Sequence, residues 1–149
     1  MPETTPKQKV DRVKMFGGDF IKIVLIGDSF DDAQKEAQKQ INENTIFIHP
    51  FDDNTVIEGQ GTIALEILDQ IDKHFDYLII PIGGGGLISG IITVFNKLSP
   101  KTKIIGVEAE GAPAMFTSLD QKKIIELNKI DNFVDGVSIK KIGKIPFEI

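Results

Sequence analysis

The sequence predicts a doubly wound α/β fold with a mostly parallel sheet, and three observations carry that expectation. Strand-like and helix-like patterns alternate about four times along the 149 residues. The strand segments are near-continuous apolar runs rich in β-branched residues, the pattern of strands buried on both faces. One of them, Tyr77 to Ile82 (YLIIPI), runs straight into four consecutive glycines, Gly83 to Gly86, which open a helix.

Taken in order, Thr5-Pro6-Lys7-Gln8 reads as a helix start, with Thr5 as N-cap and Pro6 at the first helical position. That helix runs through Val10, Val13 and Met15 and stops at Gly17-Gly18. Phe20 to Ile26 (FIKIVLI) reads as a buried strand, and Gly27-Asp28 turns the chain. Ser29 with Asp32 caps a second helix reaching about Ile41. Asn42 to Thr45 is a polar loop that could serve as a linker, and Ile46 to His49 is a short strand. A long helical pattern follows from about Val56 to Ile71; Gly59 and Gly61 inside it each cost ~1 kcal/mol relative to Ala. After the glycines a helix extends from Leu87 to about Leu98, and Ser99-Pro100-Lys101 breaks it. Lys103 to Glu108 (KIIGVE) is the next strand, a short helix follows Gly111-Ala112-Pro113, and residues 121–149 show no clear period.

Composition narrows the function classes. With 41% hydrophobic and 26% charged residues, 25 of them Ile alone, the chain can bury a core and is not a low-complexity polymer. The formal net charge of −5 argues against nonspecific binding to nucleic acid or anionic membranes. Arg12 is the only arginine, so no multi-arginine clamp can be built. Cysteine is absent, which removes disulfides, thiolate catalysis and cysteine metal sites. No apolar run approaches a membrane span, and the cytosol is the expected compartment.

The glycines are the most informative feature. Glycine loses the most backbone entropy on ordering, so four in a row weaken folding unless something requires them. A backbone free of Cβ atoms can turn successive N–H groups toward one anion, assisted by the positive end of the following helix. The carboxyl end of a strand is also where open α/β sheets bind ligands. A P-loop would need a lysine after the glycines, and none is there. A dinucleotide fold would need G-x-G-x-x-G and a later acid; Glu108 stands 22 residues after Gly86, but the glycine spacing differs. A compact phosphate monoester held by backbone amides fits best, with a dinucleotide-binding domain as the alternative.

These residues carry a resemblance. GGGGLISG after YLIIPI resembles the tetraglycine phosphate loop of the fold-type II pyridoxal-phosphate enzymes, a family that includes the β-subunit of tryptophan synthase. MPETTPKQKVDRVKMFGG, HPFDDNTVIEGQGTIALEIL, KIIGVEAEGAPAM and FVDGVSIKKIG are similar, in order and spacing, to the threonine dehydratase and serine racemase subgroup, with the threonine dehydratases nearer. The resemblance implies that Gly83, Gly84, Gly85 and Gly86, with the Leu87 amide, hold the phosphate of pyridoxal 5′-phosphate. It implies that Gly136 lies against one face of the pyridine ring. It implies an ammonia-lyase taking L-threonine to 2-oxobutanoate and ammonia, a step of isoleucine biosynthesis, in a homo-oligomer when full length. A serine dehydratase or racemase is the neighbouring alternative, and a non-catalytic remnant that binds a phosphate ligand is another.

The family's Schiff-base lysine sits in a serine-x-lysine-x-arginine-glycine motif, and no such motif occurs in these residues. The expectation is therefore an internal fragment, truncated at both ends, with no catalytic residue assigned and inactive alone. Residues 1–44 would belong to the small domain and residues 45–149 to the large, phosphate-binding one. Glu108 matches a cation ligand of serine racemases, but Ala114 stands where the partner acid is expected, so no metal site is assigned. His49 and His74 read as structural or surface residues, Asp52-Asp53 as a helix N-cap, and Phe51, Phe75 and Phe116 as core or interface.

Overall fold

In the computed structural model, which describes residues 1–131 and 133–149, packing divides the chain into two units, Met1–Ile48 and His49–Ile149.

In the first unit, α1 spans Lys7–Gly17 and is followed by a 3-10 turn over Gly18–Phe20. The cap position is Pro6, with no side-chain cap bond, so Thr5 does not act as the expected N-cap. Helix α2 spans Phe30–Gln38, short of the expected Ile41, and opens on the capping box expected from Ser29 and Asp32. Asp32 N–H donates to Ser29 Oγ at 3.2 Å, and Ser29 N–H donates back to Asp32 Oδ2 at 3.2 Å. Two predicted strands, Phe20 to Ile26 and Ile46 to His49, do not form: Phe20 ends the 3-10 turn, and residues 21–26 and 46–49 carry no ladder. Phe20 and Ile46 are 99% and 84% exposed, so apolar, β-branched character was present without an opposing strand to turn it into structure. Backbone pairing of the first run is limited to residues 1–3, where Met1 N donates to Val24 O and Ile26 N–H donates to Met1 O. The expected linker at Asn42 to Thr45 is a cross-bonded turn, with Asn42 and Thr45 exchanging backbone bonds.

The second unit is built on one strand–helix–strand unit. Helix α3 (Asn54–Gln70) starts at Asp53, whose Oδ1 accepts the Val56 N–H at 3.1 Å. Strand β1 (Tyr77–Pro81), α4 (Gly86–Leu98) and β2 (Lys103–Val107) follow, and the strands pair in parallel from Tyr77 opposite Lys103 to Pro81 opposite Val107. A parallel pair needs a crossover, and α4 supplies it. Helix α3 packs on α4 where Gly61 and Gly90 meet: a Cβ at Gly90 would stand 2.6 Å from the Gly61 N. That close approach is the physical reason for a glycine at position 90 inside α4, and a Cβ at Gly61 in α3 would in turn stand 3.3 Å from Gly90 O. Helix α5 spans Ala114–Asp120 and α6 spans Lys144–Glu148. Ile80, Ile82, Ile91, Phe95, Ala64 and Met115 are buried together between the sheet and these helices. Among the described residues, no helix is long and apolar enough to cross a membrane.

Candidate functional site

The ladder runs one residue past β1, because Ile82 N–H donates to Val107 O at 2.8 Å. The glycines therefore begin at the carboxyl end of a paired strand. Gly84, Gly85 and Gly86 are buried, and Gly83 and Leu87 are half-buried. Their hydrogen bonding is one-sided. Gly84 O accepts the Gly143 N–H at 3.0 Å and Gly85 O accepts the Ser89 N–H at 3.0 Å. By contrast, the N–H groups of Gly83, Gly84, Gly85, Gly86, Leu87 and Ile88 donate to no acceptor among the described residues. Buried backbone donors are almost always paired, so a run of unpaired ones at a helix N-terminus suits an anion.

The glycines also have reasons behind the loop. A Cβ at Gly84 would collide with the Phe51 ring, and one at Gly86 would stand 2.9 Å from Phe51 Cα. A Cβ at Gly83 would come within 3.2 Å of Val137 Cα. Gly85 has φ +98°, which L side chains rarely adopt, and its Cβ would press on Pro146 and on Met115 Cε at 3.0 Å. Ligand access is thus not the sole requirement for glycine here: the protein packs its own side chains against the loop's rear.

Phe51 is held by the turn that carries it. His49 Nδ1 accepts the Asp52 N–H at 2.8 Å and the Phe51 N–H at 3.3 Å. The two rings stand edge-on, with centroids 4.6 Å apart. Burial lowers the His49 pKa below its ordinary value, against the pull of the Asp52 and Asp53 carboxylates. Asp52 Oδ1 accepts the Ile145 N–H at 2.8 Å, which ties α6, and with it Pro146, to the same turn. The Asp52-Asp53 pair expected at one helix N-cap divides its work: Asp53 caps α3 and Asp52 serves α6. Nothing local in HPFDD specifies a partner 93 residues away at Ile145.

The remaining expected residues fall as follows. Gly136 is exposed, in a turn over residues 133–137, with open space where its Cβ would be. Its neighbour Val137 is the residue that meets Gly83. Glu108 is engaged: Oε1 accepts the Met115 N–H at 2.8 Å and Oε2 the Phe116 N–H at 2.7 Å, so both oxygens cap α5. Among the described residues, no cluster of His, Cys, Asp or Glu could hold a metal ion. Phe75 packs against Phe95 at the core, Phe116 is 70% exposed, and His74 lies 3.8 Å from Asp76 at the surface.

Comparison with known proteins covers the same ground. The family model described as "Pyridoxal-phosphate dependent enzyme" matches residues 1–149. The chain is 55% identical over 150 residues to the biosynthetic L-threonine dehydratase of Halalkalibacterium halodurans, covering all of this chain and 36% of that protein. It is 50% identical over 148 residues to the corresponding Bacillus subtilis protein, covering 99% of this chain and 35% of that one. The chain thus spans about a third of the length of these curated relatives. Among solved structures, threonine deaminase isoform 2 of Solanum lycopersicum superposes with a TM-score of 0.83 at 43% identity, over 99% of this chain and 42% of that one. The serine racemase of Dictyostelium discoideum does so with a TM-score of 0.78 at 30% identity, over 99% and 46%.

Proposed function

The chain belongs to the pyridoxal-phosphate dependent enzymes, and from that membership we propose that it is the phosphate-holding segment of a threonine dehydratase. The observation that carries this reading is the run of unpaired N–H groups from Gly83 to Ile88, beside carbonyls already bonded inside the protein. Such a surface presents a run of donors, which matches a phosphate dianion.

Residue roles follow from that polarity. The amides of Gly83 to Gly86 and of Leu87 bind the phosphate, and α4 adds the positive end of its dipole. Phe51 excludes water from the rear of the loop, where a solvated backbone would compete for the same donors. Gly136 leaves room for the flat face of the pyridine ring. The chemistry that pyridoxal phosphate supplies when bound is an electron sink, which makes an amino acid's α-proton acidic and lets its β-hydroxyl leave. No lysine of this chain is assigned to that chemistry.

On this reading the whole protein converts L-threonine to 2-oxobutanoate and ammonia for isoleucine biosynthesis in the cytoplasm, as a homo-oligomer. The names of the relatives support the threonine reaction, and the serine racemase likeness makes serine the second substrate to try. Residues 1–44 are proposed as part of the small domain and 45–149 as part of the large one; the packing division at Ile48 and His49 supports a boundary in this region.

The test is a titration of the ¹⁵N-labelled chain with pyridoxine 5′-phosphate, which lacks the aldehyde and so cannot bond to surface lysines. Amide shifts concentrated on Gly83 to Ile88, absent with unphosphorylated pyridoxine, are expected. Equal responses to both compounds, or none from the loop, would overturn the assignment. In the full-length protein, release of 2-oxobutanoate from threonine is the corresponding activity measurement.

A further inference from the structure

One group of side chains has a specific geometry that phosphate binding alone does not use: the His49-Pro50-Phe51-Asp52 turn behind the loop. His49 Nδ1 accepts the N–H groups of Asp52 and Phe51 at 2.8 and 3.3 Å. Phe51 occupies the space beside Gly84 and Gly86 that a Cβ would need. From the same turn Asp52 Oδ1 binds the Ile145 N–H at 2.8 Å, and Gly143, just before α6, donates to Gly84 O at 3.0 Å. The loop is therefore gripped at two places by elements that meet at one turn.

We infer that His49 is a positioning residue for the phosphate loop: as a neutral imidazole it holds the turn that seats Phe51 against Gly84 and Gly86, and so keeps the loop's N–H groups arranged for an anion. This rests on the phosphate reading of the loop. An imidazole nitrogen accepts an N–H only when it carries no proton. Protonation of Nδ1 would set a third donor against the Phe51 and Asp52 donors, and both bonds would be lost.

The charged groups facing the ring are Asp52, from the turn, and Asp53, from the N-cap of α3; both favour the protonated form. On α6, Lys144 and Glu148 pair with each other at 3.8 Å. Burial outweighs the two aspartates and holds the pKa below the ordinary 6.5. The folded chain thus binds the proton less readily than the unfolded one. The turn's contribution is complete above 6.5, declines as the pH falls from there to the lowered folded value, and is gone below it.

Substitution separates acceptor from titration. The side-chain oxygen of an asparagine at this position can accept N–H groups two and three residues ahead, as Asx turns do, and does not titrate. His49→Asn should keep the turn with a flat pH response, and His49→Leu should lose it at every pH. In the unliganded, ¹⁵N-labelled chain, the amides of Phe51, Asp52 and Gly83 to Leu87 should shift in step with the His49 imidazole. Affinity for pyridoxine 5′-phosphate should fall several-fold more in the parent than in His49→Asn as the pH is lowered from above 6.5 through the lowered His49 value. Loop amides that ignore the His49 titration, or an Asn variant with the parent's pH slope, would overturn the inference. If His49→Leu fails to fold, those two measurements still decide. No binding at any pH, with the amides still following His49, would overturn the phosphate reading and leave the positioning link standing. Binding without a difference among the three proteins would do the reverse.

Discussion

Asp52 and Ile145 stand 93 residues apart in the chain, yet Asp52 Oδ1 accepts the Ile145 N–H at 2.8 Å. The adjacent Asp53 starts α3 at the same time, so two neighbouring carboxylates begin two helices that are far apart in sequence. Asp52 thereby joins the segment before the phosphate loop in sequence to the segment that backs it in space.

Asp52→Ala should destabilise the second unit by about 1–3 kcal/mol, the range for removing a charged acceptor from a partly buried N–H. Asp52→Asn keeps an oxygen acceptor and should lose less. Urea denaturation of the two variants checks the order, and equal midpoints for Ala and parent would refute it.

Two glycines should respond oppositely to alanine. Gly85 has φ +98° and its Cβ would press on Pro146 and Met115, so Gly85→Ala should cost about 1–3 kcal/mol. Gly59 lies inside α3 with open space at its Cβ, so Gly59→Ala should stabilise by about 0.5–1 kcal/mol. Thermal or chemical denaturation reads both signs directly.

Gly136 offers a separation of phosphate from ring. Nothing lies within 4 Å of its would-be Cβ, so Gly136→Leu should change stability by no more than about 0.5 kcal/mol. If the pyridine ring lies there, the variant should bind inorganic phosphate as the parent does and pyridoxine 5′-phosphate at least several-fold more weakly. Equal affinity for the latter would remove Gly136 from the site.

The capping box of α2 sets a pH response in the first unit. The Ser29 side chain bonded to the Asp32 carboxylate holds the Asp32 pKa below the ordinary 3.8. The folded carboxylate releases its proton more readily than the unfolded one, so the cap is complete above 3.8 and is lost as the pH falls through the lowered value. A carboxyl ¹³C titration should show Ser29→Ala returning Asp32 toward 3.8. An unchanged titration would mean that the hydroxyl is not the main cause.

What the sequence by itself determined was local and punctuated: the capping box at Ser29, the Asp53 cap, helices α1 to α5 though not α6, and the strand that ends in four glycines. Each is specified by residues within one or two turns of one another, where caps, periodicity and glycine act without help. The apolar runs at residues 21–26 and 46–49 looked like strands for the same local reasons, and their expected ladders are absent, because a strand exists only opposite a partner. Tertiary structure alone decided which side of the glycine loop is filled and by what. Phe51 and Asp52 reach the loop and α6 across gaps of more than thirty residues, and no periodicity records a contact of that span. It also decided the use of Glu108, whose two oxygens are spent on α5 seven and eight residues ahead. A side chain's type states what it can bond; only the packed chain determines which donor arrives.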